Sequence, residues 1–252
     1  MPPSPWPYLD HPGPLAFAHR GGAAEAVENT MAAFERAVGL GYRYLETDAR
    51  VTADGVLLAF HDATLDRLTD RTGSVSDLPW STVRKATVAG EPIPRLEDVL
   101  AAWPDVRFNI DPKQDSAVAP LAEAIRRTGT ANRIGIASFS GLRIRRLRRR
   151  LGSDLCASLG PFGILRLRLA SLRLPTGALH AACTQVPVSM RGIRIVDRRF
   201  VDAAHERGLQ VHVWTCDDAG EMSELLDLGV DGLMTDRPTL LKEVLVARGE
   251  WL

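Results

Sequence analysis

The spacing of apolar positions changes along this chain in a regular order. "LAFAH" (15–19) is a short apolar run of strand type, and "NTMAAFERAVGLG" (29–41) then places Met31, Phe34, Val38 and Leu40 at roughly helical spacing. Thr30 is the predicted N-cap of that helix and Gly41 its predicted stop. "YRYLETDAR" reads as a strand, "TADG" as a turn and "VLLAFHD" as a second strand returning beside it. From Ala63 to Pro94 the chain is rich in Thr, Asp, Gly and Pro, which reads as an excursion over the surface.

Beyond that excursion strands and helices alternate. The helix "RLEDVLAAW" is followed by the strand "VRFNID", then by "AVAPLAEAIRRTG", "RIGIASF", "GLRIRRLRRRLG" and "DLCASL". In "GPFGILRLRLASLRL" leucine and arginine alternate as in a strand, but length and flanks favour a helix. The strands "HAACTQV", "LQVHVWT" and "VDGLMTD" complete the series, each with a helix behind it. With "VLLAFHD" set aside as a side strand, eight strand–helix units remain. They predict an α/β protein of the (β/α)8 TIM-barrel type, as a single domain over residues 1–252, with a short insertion after the second strand.

Composition narrows the function. At 252 residues and 45% hydrophobic side chains the chain can bury one large core. Its 31 Lys and Arg balance 31 Asp and Glu, which argues against a nucleic-acid partner and for a small-molecule substrate. Three scattered cysteines, Cys156, Cys183 and Cys216, fit a reduced, cytoplasmic protein better than a zinc site. The proline-rich start has neither the basic nor the apolar region of a signal peptide, and no apolar run reaches the ~18 residues of a membrane span.

In a parallel barrel the chemistry collects where strands end. Those ends carry His19 and Arg20, Glu46 and Asp48, Asp111 and Lys113, Ser138, Gln185, Trp214 and Asp236. Glu46 and Asp48 are two residues apart on one strand, so both carboxylates point to the same face. Two readings follow: a solvated pair or salt bridge to Arg20 or Arg50, or a divalent-cation site with Asp111 as third oxygen ligand, suited to Mg²⁺ or Ca²⁺ and not to zinc. Lys113 is either an ion-pair partner of Asp111 or, with Arg20, half of a cationic clamp for phosphate oxygens, which Gly21 and Gly22 would let the backbone approach. His19 and His61, if they meet at one mouth, suit a general acid and base.

Together, "AHRGG", "ENTMAAFERAVGLGYRYLETDARVTADGVLLAFHD", "IPRLEDVL", "NIDPK", "VHVWTCDD" and "GVDGLMTDRP" resemble the successive motifs of the glycerophosphodiester phosphodiesterase family, from about Leu15 to Val244. The resemblance implies a TIM barrel with an insertion, here between about Val51 and Pro94. It implies one divalent cation on Glu46, Asp48 and Asp111, where the commoner pattern has glutamate at the third position. It further implies catalytic histidines at His19 and His61, phosphate-binding Arg20 and Lys113, Trp214 lining the substrate pocket, and Glu28 and Asn29 near the mouth. Glu28 would orient Arg20 or His19, and Ser138 and Gln185 would be polar groups of the pocket.

The implied reaction is hydrolysis of a glycerophosphodiester to sn-glycerol 3-phosphate and an alcohol, with His61 as acid and His19 as base. Two alternatives stand beside it. Arg143 to Arg173 carry nine arginines and a single acid, Asp154. That stretch is either a solvated helix face or a weak contact for anionic lipid, the latter suiting lysophospholipase D-like hydrolysis. The other alternative is a non-catalytic barrel that holds a phosphate or head group. A glycosidase fits worse, because neighbours on one strand cannot flank a scissile bond.

Overall fold

The structure, a computed structural model, describes residues 6–251. The first five residues of the proline-rich start lie outside the described residues. Eight strands run parallel: β1 Leu15–Ala18, β2 Tyr44–Val51, β3 Arg107–Pro112, β4 Ile134–Ile136, β5 Cys156–Ala157, β6 Cys183–Val186, β7 Gln210–Val213 and β8 Gly232–Thr235. Their order around the sheet is β5, β4, β3, β2, β1, β8, β7, β6. The ring closes between β5 and β6, where Ala182 donates to the Ala157 carbonyl (3.0 Å) and Leu159 to that of Cys183 (2.9 Å).

Behind the strands lie α1 Met31–Gly39, α2 Leu96–Ala102, α3 Val118–Thr128, α4 Gly141–Leu151, α5 Pro161–Ser171, α6 Arg198–His205, α7 Ala219–Asp227 and α8 Pro238–Ala247. This is the predicted (β/α)8 barrel. Local chemistry sets the helix starts: Thr30, Ser140, Asp197 and Asp218 each cap a helix by accepting a backbone N–H three residues on. Pro161 and Pro238 occupy the first turns of α5 and α8, where the missing N–H costs nothing. The ambiguous 160–174 segment is thus a helix, its inner side made by Leu167, Ala170 and Ser171. Among the described residues no helix is long and apolar enough to cross a membrane.

The insertion differs from its sequence reading. Instead of merely crossing the surface, it folds back and packs Leu58, Phe60, Leu65, Val75, Val83, Ala86, Val88 and Ile93 into a small core of its own. The side strand Leu57–Ala59 pairs antiparallel with the end of β2, aligning Ala59 with Ala49. Turn polarity concealed this second core, because its apolar residues are spread singly between turns.

The opposite end of the barrel is plugged by the N-terminal arm. Tyr8 and Leu9 are buried with Phe17, Tyr44, Cys156, Cys183 and Met234. Tyr44 donates to the Tyr8 carbonyl (2.8 Å), and the two rings meet edge to face at 5.5 Å. Gly135 leaves the space for this ring, since a Cβ there would stand 2.5 Å from Tyr8.

Tyr8→Ala is expected to cost about 3–5 kcal/mol in urea unfolding, the usual loss for truncating a buried aromatic. Gly135→Ala should cost about 1–3 kcal/mol by overpacking in the wild type and much less in the Tyr8→Ala background, because the colliding ring is then gone. Additive losses would mean that Tyr8 does not fill this space.

Candidate active site

The strand ends bring the candidate residues to one mouth. Register places Asp48 of β2 beside Asp111 of β3, and Glu46 beside Asn109. His19 and Arg20 follow β1 directly, and Arg20 adopts a left-handed backbone (φ 52°) that is uncommon for a residue with a Cβ. This conformation turns the Arg20 N–H onto Glu46 Oε2 (3.1 Å) while its side chain reaches Glu28 (3.0 Å) and lies 3.2 Å from Asp48 Oδ2.

The two glycines behind Arg20 are required by packing. A Cβ on Gly21 would stand 2.8 Å from that of Ala33 in α1, and one on Gly22 2.6 Å from the ring of Pro238 in α8. They let the turn after β1 close against two helices. Asn29, also left-handed (φ 58°), donates to Asp48 Oδ2 (3.0 Å) and accepts from the Thr47 hydroxyl (2.7 Å), fastening the same loop to β2.

Charge in this mouth is tightly matched. Lys113 Nζ lies 2.8 Å from both Asp48 Oδ1 and Asp111 Oδ2. The one ammonium therefore pairs with both carboxylates. Burial would raise the Asp48 carboxyl, but Lys113 and Arg20 outweigh it and hold it below its ordinary value. Glu46 is compensated less. Burial, and then the Asp48 charge, push its carboxyl up to about 7 against the pull of His19, Lys113 and Arg20. Asp111 is also raised, first by burial, with Lys113 opposing.

This donor set fits a hard divalent cation in its chemistry: two buried carboxylates on one face, one of them undercompensated. Of the expected ligands, Glu46 and Asp48 are side by side on β2, whereas Asp111 is linked to Asp48 through Lys113. Among the described residues no three His, Cys, Asp or Glu side chains form a ready ligand group. Of the two readings of Lys113, the ion pair is the one observed, and it extends to Asp48 as well as Asp111.

Each histidine is held through Nδ1. His19 Nδ1 lies 2.6 Å from Asp236 Oδ1, and His61 Nδ1 lies 2.7 Å from Asp62 Oδ1. Burial lowers the His19 pKa, yet Glu46 (3.7 Å from Nε2) and Asp236 outweigh it and raise it overall. His61 is carried to the mouth by the side strand, its carbonyl accepting from Arg50 (2.9 Å). Arg67, in the insertion, donates to both Asp62 and Glu28, so a continuous chain runs from His61 through Asp62, Arg67 and Glu28 to Arg20. Glu28 therefore contacts Arg20 and not His19.

Sequence reasoning assigned no role to Asp62, Asp236 or Arg67. Asp236 stands at the end of β8 and Asp62 beside His61, so position was a signal for both; for Arg67 nothing in its neighbourhood was. Gln185 is placed inside the barrel, exchanging hydrogen bonds with Asn109 (3.0 and 3.1 Å) and lying 3.3 Å from His212 Nδ1. Ser138 lies beside the Pro112 carbonyl and accepts from the Ser140 N–H. Trp214 is half-buried at the end of β7 and meets the exposed ring of Phe139 edge to face at 5.6 Å.

The profile of the Glycerophosphoryl diester phosphodiesterase family matches residues 19–240. A Mycobacterium tuberculosis protein named Probable glycerophosphodiester phosphodiesterase 2 is 42% identical, covering 97% of this chain and 95% of its own. Two solved structures share the fold. The putative glycerophosphoryl diester phosphodiesterase of Silicibacter pomeroyi has a TM-score of 0.82 at 23% identity and covers 98% of this chain and 100% of its own. An Oleispira antarctica phosphodiesterase in complex with the product sn-glycerol-3-phosphate has a TM-score of 0.75 at 20% identity, covering 93% and 97%. A family match spanning nearly every strand, and a relative sharing two-fifths of its residues over almost the full length, establish that this chain belongs to the glycerophosphoryl diester phosphodiesterase family.

Proposed function

We propose that this protein hydrolyses glycerophosphodiesters to sn-glycerol 3-phosphate and an alcohol by histidine acid–base catalysis with a carboxylate-bound divalent cation. The observation that carries the reading is the pair of imidazoles held through Nδ1 by Asp236 and Asp62 at the mouth that also holds Arg20 and Lys113. A carboxylate on Nδ1 makes that nitrogen the proton-bearing one and leaves Nε2 for proton transfer. The relatedness to a protein named as a glycerophosphodiester phosphodiesterase, and a neighbour of the same fold holding sn-glycerol-3-phosphate, support the substrate class.

In this mechanism Arg20 and Lys113 meet the phosphate oxygens, Arg20 through its forked guanidinium and Lys113 as a point charge. His19 takes the proton of the attacking oxygen, and His61 gives one to the departing alcohol oxygen. Asp236 and Asp62 are positioning residues that keep each Nδ1 protonated. Glu46 and Asp48, with Asp111 as third ligand, would hold Mg²⁺ or Ca²⁺, which supplies charge neutralisation at the phosphate when bound. Trp214 lines the substrate side, Asn29 fixes Asp48, Glu28 fixes Arg20, and Gln185 supports the floor.

The same reading takes residues 1–252 as one barrel domain acting in the cytoplasm, with the three buried free thiols in support. The lysophospholipase D-like alternative is less favoured given the named function of the 42% identical relative, and the two carboxylate-held imidazoles speak against a barrel that only binds.

Purified protein should release glycerol 3-phosphate from glycerophosphocholine, lose this activity to a chelator and regain it with Mg²⁺ or Ca²⁺. Absence of release from any glycerophosphodiester would overturn the reaction, and release undiminished by chelation would overturn the cation's part in it. His61→Ala should slow a diester with a poor leaving group at least ~100-fold more than one with an activated aryl leaving group, since only the former needs a proton. Equal losses would remove His61 as the acid. Asp236→Asn should lower kcat about 10²–10⁴-fold at nearly constant KM, with imidazole nitrogen-15 shifts showing a changed His19 tautomer; an unchanged tautomer would deny Asp236 its positioning role.

A further inference from the structure

Charge and apolar exposure are both unevenly distributed, and they coincide. Residues 139–199 carry thirteen arginines, no lysine and two acids, Asp154 and Asp197, within a chain of zero net charge. The same stretch supplies most of the large apolar side chains left exposed. Phe139 (67%) and Leu142 follow β4, Phe162 (73%) and Leu165 follow β5, and Met190 and Ile193 (70%) follow β6. Since loops after parallel strands open on the same end of a barrel, these belong to one side of the catalytic mouth.

Local structure explains the exposure. α5 is apolar on two sides: Leu167 and Ala170 are buried, whereas Phe162, Leu165 and Leu172 form an exposed line at helical spacing. Met190 and Ile193 are cross-strand neighbours in a small hairpin after β6, pairing Ser189–Met190 with Ile193–Arg194, and the turn between them carries Arg191. α4 and α5 approach at Gly141 and Gly160, where a Cβ on Gly160 would stand 2.8 Å from the Gly141 Cα. Next to that approach lies a groove of about 450 Å³ lined by Arg145, Arg148, Arg149, Ser153 and His180.

Several of these arginines are not committed to the fold. Arg143 and Arg146 are held by Asp115, and Arg168 by Asp197. Among the described residues Arg145, Arg149 and Arg191 make no ion pair. Phe139 joins the rim to the substrate side through its contact with Trp214.

We propose that the loops after β4, β5 and β6 form a docking rim that seats the barrel mouth on an anionic phospholipid surface. Phe162, Leu165, Met190 and Ile193 enter the interfacial layer, and Arg145 and Arg191 meet lipid phosphates at its edge. The charge complementarity selects an anionic surface, and the aliphatic members select lipid over nucleic acid, because leucine, isoleucine and methionine offer bases no stacking face. Docking here holds the protein at the surface without a spanning helix and turns the Trp214 side of the mouth toward the bilayer. The proposal does not depend on which diester is hydrolysed.

The test is cosedimentation with vesicles of phosphatidylcholine containing about 30% phosphatidylglycerol, against phosphatidylcholine alone. The protein should bind the anionic vesicles, bind the neutral ones far less, and release at about 0.5 M salt. Phe162→Ser with Ile193→Ser, and separately Arg145→Glu with Arg191→Glu, should each lower the partition coefficient about tenfold or more. Hydrolysis of soluble glycerophosphocholine should be unchanged in both. Circular dichroism checks the fold, and if the serine pair fails to fold, the glutamate pair and Met190→Ser stand in for it.

No binding to anionic vesicles, or binding indifferent to the apolar substitutions, would overturn the proposal. So would a wild-type dimer made monomeric by the serine pair, which would make the rim an interface between two copies, or tighter binding to an RNA oligonucleotide than to vesicles. Vesicle binding without hydrolysis of any soluble glycerophosphodiester would sink the proposed reaction and leave the docking rim standing.

Discussion

Two carboxylates on one buried face of β2 are the constraint around which the mouth is arranged. Glu46 and Asp48 repel each other where water cannot screen them, so the chain surrounds them with positive charge and N–H donors. Arg20 takes up a left-handed backbone to give Glu46 its N–H and Asp48 its guanidinium, and Lys113 spans Asp48 and Asp111. Compensation stays incomplete at Glu46.

The same charges are tied outward to the loops. Glu28 holds Arg20, Arg67 holds Glu28 and Asp62, and Asp62 holds His61. One end of this chain is in the turn after β1 and the other in the insertion after β2, so the insertion's small core bears on where His61 stands. His19 needs no such device, because Asp236 at the end of the adjacent β8 already reaches it. The two histidines are thus oriented by similar means from different parts of the chain, which lets each be tuned separately.

Away from the mouth the barrel divides its tasks. Its lower end is filled by Tyr8 and Leu9 from the arm, and so needs no long side chains from β4 and β5, whose Gly135 and Cys156 leave the room. The upper rim is asymmetric, with the arginines and unburied apolar side chains of residues 139–199 on one side and the acidic and basic network of β1 to β3 on the other. A stable lower end leaves the upper loops free to carry polar and exposed groups that contribute little to folding.

Much of this was legible in the amino-acid order. Strand and helix periodicity, the Thr30 cap and the eightfold alternation determined the barrel, because each depends on residues within a few positions of one another. Strand polarity then put His19, Arg20, Glu46, Asp48, Asp111 and Lys113 at one end. Partners were another matter. That Asp236 reaches His19, that Arg67 joins Glu28 to Asp62, that Gln185 turns to Asn109, and that Tyr8 closes the lower end were decided only by the tertiary structure. These contacts join residues up to 217 positions apart, and periodicity carries no information about which strand ends and loops meet once the ring has closed.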